Sequence, residues 1–334
     1  MTDPIVVRVE QSSQVAAVRR AAADLAWRLH FDETTAGRLA LVVTELATNL
    51  VKHGGGGEVV LRQVDVAPVG FVEIVALDRG PGMANVARCL EDGYSTAGSP
   101  GTGLGAVQRL STGFDVWSRP KNGVVVRIKI APQGEAPCDG GFQIGSISVP
   151  APGEVECGDA WSDERRPGSA TVLVADGLGH GPDAAVAARE AVAAFEASAG
   201  ALPVPRVEAI NLALRPTRGA AIAVAHIDAA LKIVRFAGLG NITAAIHRDD
   251  AVRHLVSQHG TAGVGTRRIE EYTYPWDEHS VLVMHSDGIT ARHDLAAYPG
   301  LLERHPGLVA GVLYRDFARG RDDATVVVAR RHSA

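Results

Sequence analysis

The stretch "ELATNLVKHGGGGEV", residues 45–59, joins the end of a helical pattern to four consecutive glycines and the start of a β-rich run. Glu45 and Asn49 are four residues apart, so they lie on the same face of that helix. A solvated polar stripe followed by a glycine stop would explain this arrangement, and so would a nucleotide site beside a loose segment of chain. The flanking sequence decides between these two interpretations.

The flanking segments complete a layered α/β pattern. Apolar residues recur at helical spacing over 13–30 and 32–54, and the β-rich runs 58–66 and 71–78 are typical of a hairpin. A further helix and two more strands follow. These elements predict a first domain over residues 1–132, with helices packed on a sheet.

Two loops of this domain contain closely spaced glycines. "DRGPGM", residues 78–83, places Asp78 at the end of a strand, where Gly80 and Gly82 let the backbone approach a ligand closely. "GTGLG", residues 101–105, leads into a helix, and the N–H groups of a helix N-terminus suit phosphate. The spacing matches neither the dinucleotide-binding fingerprint nor the P-loop, and each segment taken alone is equally typical of a turn.

The three segments together resemble the GHKL ATPase family, in which E-x-x-x-N precedes D-x-G-x-G and a glycine-rich lid. The resemblance covers about residues 5–131 and is closest to the anti-sigma-factor serine kinases of the RsbT/RsbW type. It implies a two-layer α/β sandwich that binds ATP with Mg²⁺. No phosphoacceptor histidine box is recognisable, which counts against a histidine kinase.

The same resemblance implies roles for individual residues. Asn49 would coordinate Mg²⁺, Asp78 would accept a hydrogen bond from the adenine amino group, and Glu45 would take a proton from a protein serine. The glycines would lie around the nucleotide, with Gly80 and Gly82 beside Asp78 and with Gly101, Gly103 and Gly105 around the phosphates.

Length, charge and cysteine content limit the class of protein. A chain of 334 residues is long enough for two domains, and its net charge of 33 − 38 = −5 argues against nucleic-acid binding. The cysteines, Cys89, Cys138 and Cys157, are scattered and predict a reducing compartment. The N-terminus lacks the order of a signal peptide, and no apolar stretch is long enough for a membrane span. We therefore expect a cytoplasmic protein.

A second domain is predicted after a linker. Residues 133–141 combine proline, glycine and charge without periodicity, which is typical of a linker. Beyond it, β-rich runs alternate with helical blocks at 182–198 and 307–319. This order predicts an α+β sandwich over residues 142–334, with strands at 142–149, 169–175, 219–227, 230–237, 242–247, 269–274, 280–285 and 324–330.

Carboxylates follow several of these predicted strands. Asp176 and Asp287 are each followed by glycine, and the other acidic segments are "CGDAW" and "RDDATVVV". One Asp-Gly pair is typical of a turn, but several after buried strands predict a shared site for a hard cation. Oxygen ligands favour Mg²⁺ or Mn²⁺, and two such ions can clamp a phosphoryl group during hydrolysis.

The second half resembles the type 2C-like serine/threonine phosphatases of the SpoIIE/RsbX group, over about residues 140–331. The matching segments are "VADGLGHGPDAAVAA", "MHSDGIT" and "RDDATVVVAR". The resemblance implies a β-sandwich flanked by helices and a Mg²⁺ or Mn²⁺ centre. The implied metal ligands are Asp159, Asp176, the carbonyl of Gly177, Asp287 and Asp322, with Asp323 able to share or replace the role of Asp322.

Two histidines near these carboxylates have alternative explanations. His180, in "GLGHG", could be a general acid or could make a structural hydrogen bond. His285, at the end of a predicted strand, fits packing in the core.

The two resemblances imply a bifunctional switch protein of a bacterial partner-switching pathway. A serine kinase-like ATP domain would be joined to a metal-dependent phosphoserine phosphatase, and the substrates would be STAS-domain antagonists or stressosome-like proteins. In one alternative the ATP domain only senses nucleotide and gates the phosphatase. In another the chain is a non-enzymatic, anti-sigma-like binder with structural aspartates. Whether the protein is a homodimer stays open.

Overall fold

The computed structural model describes residues 4–64, 70–91, 103–132, 141–249, 251–265, 268–292 and 294–332. The chain divides into two compact units, Met1–Cys138 and Asp139–Ala334. Residues 133–140 of the predicted linker lie outside the described residues. Within the described segments, no helix combines the length and apolar character that a membrane crossing needs.

The first unit is one antiparallel sheet with helices packed against it. Its strands run in the order β1-β2-β3-β5-β4, and every neighbouring pair is antiparallel. The elements are β1 (Ile5–Val9), α1 (Ser12–Arg28), α2 (Glu33–Asn49), a π-helical turn (Leu50–Gly54), β2 (Gly57–Val64), β3 (Phe71–Leu77), α3 (Val86–Cys89), α4 (Leu104–Leu110), β4 (Gly113–Ser118) and β5 (Val124–Ile130).

Helix α2 shows why these residues form two layers. Asp32 caps the helix by accepting a hydrogen bond from the Thr35 N–H group at 2.6 Å. Leu39, Val43 and Leu46 recur at helical spacing and are buried against the sheet, in one core with Ile74 of β3. The predicted two-layer α/β sandwich is confirmed.

The first unit departs from prediction at two places. The helix predicted over 32–54 is an α-helix only as far as Asn49, and the π-helical turn completes it. Strand β1 was not predicted. It is only five residues long, and it is stabilised by pairing with β2, from Ile5 opposite Leu61 to Val9 opposite Gly57. Its residues, IVVRV, are β-branched, but so short a run is ambiguous without its partner strand.

The second unit contains two five-stranded antiparallel sheets, with strand orders β13-β10-β9-β8-β7 and β12-β11-β14-β15-β6. The strands are β6 (Phe142–Val149), β7 (Asp159–Arg166), β8 (Ser169–Gly177), β9 (Ala220–Asp228), β10 (Ile233–Leu239), β11 (Thr243–Arg248), β12 (Ala251–Leu255), β13 (Tyr272–Pro275), β14 (Val281–His285) and β15 (Ala324–Arg331). The helices are α5 (Pro182–Ala197), α6 (Pro203–Ala213), a 3₁₀ turn (Leu295–Ala297) and α7 (Pro306–Phe317).

The two sheets of the second unit pack face to face. Val172 of β8 and Phe236 of β10 share one core with Met284 of β14 and Val327 of β15. Helices α5 and α6 cover the outer face of the first sheet, and α7 packs on β6 and β15 of the second. The predicted β-sandwich flanked by helices is confirmed.

Three elements of the second unit were not predicted. Strand β7 is rich in charged residues, and β12 is a solvent-exposed edge strand, so neither shows a clear apolar alternation. Helix α6 begins with Pro203 and Pro205, which indicate a loop when read as sequence. Proline is well tolerated in the first turn of a helix, where the missing N–H group has no helical partner.

Candidate nucleotide and metal sites

The π-helical turn that follows α2 packs against Asp78 in the first unit. Asn49 is the last residue of α2, and the π-helical turn after it ends at Gly54. A Cβ atom on Gly54 would lie 2.8 Å from the Asp78 Cβ atom, so only glycine permits this contact. The chain then leaves the helix through Gly55 and Gly56, whose φ angles are 70° and 104°. The glycine run after the helix is therefore required by close packing and by backbone conformation.

Asp78 lies directly after β3 and is 7% exposed. Its Oδ1 atom accepts hydrogen bonds from the N–H groups of Gly80, at 2.8 Å, and Val124, at 3.2 Å. The Asp78 N–H group donates to the Val124 carbonyl at 2.9 Å. The carboxylate is thus fixed between β3 and the start of β5, and one of its oxygens is fully engaged by backbone donors.

The other predicted glycines differ in what surrounds them. A Cβ atom on Gly80 would lie 2.8 Å from the Gly54 carbonyl oxygen, and one on Gly82 would lie 2.0 Å from the Arg119 carbonyl oxygen. In α4, a Cβ atom on Gly105 would lie 2.5 Å from the Leu90 carbonyl oxygen, whereas no atom of the described residues lies within 4 Å of the same position on Gly103. Gly80, Gly82 and Gly105 are therefore needed for packing. Gly101 lies outside the described residues.

Glu45 and Asn49 are half-buried side chains one turn apart on α2. Leu46 and Ala47, between them in sequence, are buried in the core. Asn49 is thus the last residue of α2, ahead of the π-helical turn whose last residue, Gly54, packs against Asp78, and Glu45 lies one turn earlier along the same helix.

The carboxylates of the second unit converge at one end of the sandwich. Asp159 of β7 is directly opposite Asp176 of β8 in the sheet register. The Asp287 N–H group, shortly after β14, donates a hydrogen bond to the Asp176 carboxylate. Asp322 precedes β15, which pairs with β14. Strand pairing within each sheet and a hydrogen bond between the sheets therefore bring together aspartates that are far apart in sequence.

Two polar residues that the sequence did not single out orient these aspartates. The Ser286 hydroxyl donates to Asp159 Oδ2 at 2.5 Å and accepts from the Thr325 N–H group at 3.0 Å. The Asn241 side-chain amide donates to Asp287 Oδ2 at 2.8 Å. The only sequence signal for Ser286 is its place directly before Asp287.

Asp322 and Asp323 have different surroundings. Asp323 is 3% exposed, and its Oδ1 atom accepts a hydrogen bond from the Ala151 N–H group at 2.8 Å. Its other oxygen packs against Gly158, where a Cβ atom would approach to 2.5 Å. Asp322 is half-exposed and accepts from the Asp323 N–H group at 3.0 Å. Asp323 is thus engaged by the loop before β7, while Asp322 lies at the rim.

The carboxylates raise one another's proton affinity. Burial, and then the charges of Asp287 and Asp322, raise the pKa of Asp176 to about 7. Burial and the charge of Asp176 raise the pKa of Asp159 well above its usual value, although the Ser286 hydroxyl opposes this shift. Crowded carboxylates of this kind are stabilised by a cation, and their oxygen donors fit Mg²⁺ or Mn²⁺.

The fit of these carboxylates to Mg²⁺ or Mn²⁺ rests on their charge and on their oxygen donors. Among the described residues, no three acidic, histidine or cysteine side chains lie close enough together to bind one metal ion. Repulsion between the carboxylates keeps them apart as long as no cation is bound.

The two histidines near the carboxylates make structural contacts. His180 Nδ1 lies 2.8 Å from Glu154 Oε1, and the His180 side chain is 61% exposed. His285 is buried, and its Nδ1 atom donates to the Ser286 carbonyl at 2.8 Å. His285 therefore supports the segment that carries Ser286 and Asp287.

Comparison with known proteins agrees with the architecture of the first unit. Residues 9–130 match the family model of the histidine kinase-like ATPase domain. The chain is 31% identical over 127 residues to the serine/threonine-protein kinase RsbT of Bacillus subtilis (strain 168). That alignment covers 38% of this chain and 96% of RsbT.

Two solved structures resemble the chain in fold. One comes from work on "The bacterial stressosome: a modular system that has been adapted to control secondary messenger signaling". It shares 29% sequence identity with this chain, with a TM-score of 0.52, and the match covers 57% of this chain and 99% of that chain. The other is RsbX in complex with magnesium, which shares 19% sequence identity with a TM-score of 0.50. The match covers 57% of this chain and 96% of that chain.

Residues 166–332, half of the chain, match the family model of Stage II sporulation protein E. Asp159 lies before the matched segment, and its place in the cluster follows from its pairing with Asp176. The chain therefore belongs to the Stage II sporulation protein E family, with a type 2C phosphatase fold in its second unit and a histidine kinase-like ATPase domain in its first.

Proposed function

We propose that this chain is a bifunctional switch protein of a bacterial partner-switching pathway. Its second unit is a Mn²⁺- or Mg²⁺-dependent phosphoserine and phosphothreonine protein phosphatase, and its first unit is an ATP-dependent serine kinase-like domain. The observation that carries the proposal is the convergence of Asp159, Asp176, Asp287 and Asp322 in a chain that also has an RsbT-like ATPase domain.

In the phosphatase unit the aspartates and one carbonyl hold the cations. Asp159, Asp176, Asp287, Asp322 and the Gly177 carbonyl are the proposed ligands. Bound Mn²⁺ or Mg²⁺ would supply a hydroxide nucleophile and polarise the phosphoryl oxygens. Since Asp323 is engaged by the Ala151 N–H group, we assign it a positioning role and Asp322 the ligand role.

Two side chains keep the ligands in position. Ser286 fixes Asp159 through its hydroxyl, and Asn241 fixes Asp287 through its amide. Hydrogen bonds of this kind orient the oxygens of ligating carboxylates and tune their basicity.

In the kinase-like unit, Asp78 is the adenine acceptor, Asn49 coordinates Mg²⁺, and Glu45 is the base for a protein serine. The burial and backbone fixation of Asp78 support its role, because a preorganised acceptor loses little conformational freedom when the ligand binds.

The glycines form the backbone around the nucleotide. Gly80 and Gly82 shape the loop beside Asp78. We assign Gly101, Gly103 and Gly105 to the segment around the phosphates, because glycine lets the backbone approach them closely.

The proposed substrates are STAS-domain antagonist or stressosome-like proteins that carry phosphoserine or phosphothreonine. The name of RsbT describes a serine/threonine-protein kinase, and the similar solved chain comes from work on the bacterial stressosome. These two likenesses support a protein substrate in such an assembly and a cytoplasmic location.

The test is metal-dependent dephosphorylation of a phosphoserine-bearing STAS protein by the full chain. We expect turnover with Mn²⁺ or Mg²⁺, none in excess chelator, and none for Asp176→Asn. The matched control is Asp183→Asn, which removes a carboxylate that is 67% exposed on α5. Full turnover in chelator, or by Asp176→Asn, would exclude a metal-dependent phosphatase. Binding of the STAS protein without turnover would favour the non-enzymatic binder.

A further inference from the structure

Arg218 lies at the same end of its sheet as the carboxylate cluster. It precedes β9, whose first residues pair with the end of β8, with Ala220 opposite Gly177 and Ala221 opposite Asp176. The Leu178 N–H group donates to the Gly219 carbonyl at 3.0 Å, which ties the segment after Asp176 to the residue that follows Arg218. The backbone of Arg218 is thus fixed beside the turn that carries the proposed ligand Gly177.

The side chain of Arg218 extends over this turn. Its Nη1 atom lies 3.4 Å from the position of a Cβ atom on Gly179, a residue with φ of 87°. Its Nη2 atom lies 2.5 Å from Asp183 Oδ2, in the first turn of α5. The side chains of Arg218 and Asp183 are 52% and 67% exposed. A surface ion pair of this kind contributes little, so the guanidinium can exchange Asp183 for another anion at low cost.

A cation at this position would favour the binding of a phosphorylated substrate. The substrate phosphoryl group carries close to two negative charges and must approach a cluster of aspartates. Divalent ions offset the charge of their own ligands, and further positive charge at the rim favours the incoming dianion. Arginine suits this task because its planar guanidinium donates two parallel hydrogen bonds to phosphate oxygens.

We propose that Arg218 binds the phosphoryl group of the substrate, exchanging its contact with Asp183 for the non-bridging phosphate oxygens. This inference rests on the phosphatase function proposed above and adds a residue that recognises the group being removed. Because the contact is to phosphate itself, it serves any phosphomonoester and is independent of the protein that carries it.

Arg189 provides a matched control. It lies on α5, its side chain is 49% exposed, and its Nη1 atom lies 2.8 Å from Glu156 Oε2. Arg189→Ala therefore removes the same charge from a similar surface ion pair, away from the turn at Gly179. Asp183→Asn is a second control, because it breaks the ion pair but keeps Arg218.

The experiment measures KM and kcat of the Mn²⁺-loaded full chain for a phosphoserine peptide and for p-nitrophenyl phosphate, together with inhibition by inorganic phosphate. We expect Arg218→Ala to raise both KM values and the phosphate inhibition constant about 10- to 100-fold, the range for a hydrogen bond to a charged group. Arg218→Lys should recover part of the loss, because it keeps the charge without the planar fork. Arg189→Ala and Asp183→Asn should not raise KM.

Several results would overturn the inference. Unchanged KM values and phosphate inhibition in Arg218→Ala would exclude phosphate binding by Arg218. An equal rise of KM in Arg189→Ala would show that the effect comes from net charge alone. A rise of KM in Asp183→Asn would show that the loss in Arg218→Ala comes from breaking the ion pair. A loss confined to the peptide substrate would indicate recognition of the protein partner instead.

Direct phosphate binding separates this inference from the proposed phosphatase activity. If the wild type hydrolyses neither substrate, the proposed function fails. Calorimetric titration of inorganic phosphate into the Mn²⁺-loaded chain then tests Arg218 without turnover. Weaker binding by Arg218→Ala than by Arg189→Ala supports the inference, and equal binding contradicts it. Equal melting temperatures of the variants show that each one is folded.

Discussion

Asp78 illustrates how one side chain can be tested without disturbing the fold. Its Oδ1 atom accepts two backbone hydrogen bonds, and an asparagine oxygen can accept the same two. The second carboxylate oxygen would become an amide NH₂ group, which donates and can no longer accept a hydrogen bond from an adenine amino group. Asp78→Asn therefore changes recognition and preserves the local backbone contacts.

We expect Asp78→Asn to weaken ATP binding about tenfold or more in the presence of Mg²⁺, because a charged acceptor is lost. Calorimetry on the full chain measures this change. The control is Asp24→Asn, an exposed carboxylate on α1 that gives the same change in net charge. Equal ATP affinity in the wild type and in Asp78→Asn would contradict the assignment of Asp78 to the adenine ring.

The sequence indicates some of the proposed site residues and gives no signal for others. Asp176 and Asp287 can be found because each ends an apolar run and precedes glycine. Ser286 cannot be found in this way, because it contacts Asp159, 127 positions away, only through the packing of one sheet on the other. Arg218 is likewise without a sequence signal. Residues that meet only in the tertiary structure leave no periodic pattern in a single sequence.

Among the elements of the second unit, α6 is joined to β7 and α5 by one buried arginine. Arg206 is 1% exposed and donates to the carbonyls of Ala201, at 2.8 Å, and Phe195, at 3.2 Å. It also pairs with Glu164 of β7 and lies 4.2 Å from the centre of the Phe195 ring. Three elements therefore depend on this cluster.

The cluster makes the stability of the second unit depend on pH. Burial alone would raise the pKa of Glu164, but hydrogen bonds from the Gly200 N–H group and from Arg206 and Arg166 lower it to about 2. A carboxyl group whose pKa is lower in the folded state stabilises the fold fully above its unfolded value of 4.5. That contribution is lost progressively as the pH falls from 4.5 towards 2.

We therefore expect Glu164→Gln to lower the melting temperature at pH 6 and to have a smaller effect near pH 3. Thermal melting of the full chain at both pH values provides the measurement. Glu190→Gln, at an exposed position on α5, is the matched control and should show no such difference. An equal loss of stability for Glu164→Gln at pH 6 and pH 3 would show that its ionisation is not linked to folding.

Elements were predictable where the apolar pattern is local and strong. The repeating apolar residues of α2 and the β-branched runs of β5 and β15 correspond to buried faces of single elements. Strand β7 escapes this approach because Glu164 and its neighbours are polar yet paired within the cluster around Arg206. Strand β7 is stabilised by contacts with residues distant in sequence, so its own sequence gives little indication of a strand.

For the whole molecule, two units with separate hydrophobic cores carry opposing proposed chemistries. A kinase-like unit that adds a phosphoryl group and a phosphatase unit that removes it from the same serine would consume ATP in a cycle. The phosphorylated fraction of the partner is then set by the ratio of the two rates. Removing one activity at a time should drive that fraction to opposite extremes.

The most direct measurement is the steady-state phosphoserine content of a STAS partner incubated with the full chain, ATP, Mg²⁺ and Mn²⁺. We expect Asp176→Asn to drive the partner towards full phosphorylation, because only the kinase-like unit remains. We expect Glu45→Gln to leave it unphosphorylated, because loss of a positioned base lowers the rate about 10²- to 10⁴-fold. The wild type should give an intermediate level. No phosphorylation by the wild type or by Asp176→Asn, with ATP-sensitive dephosphorylation of a phosphorylated partner, would contradict the bifunctional switch and leave a phosphatase gated by a nucleotide sensor.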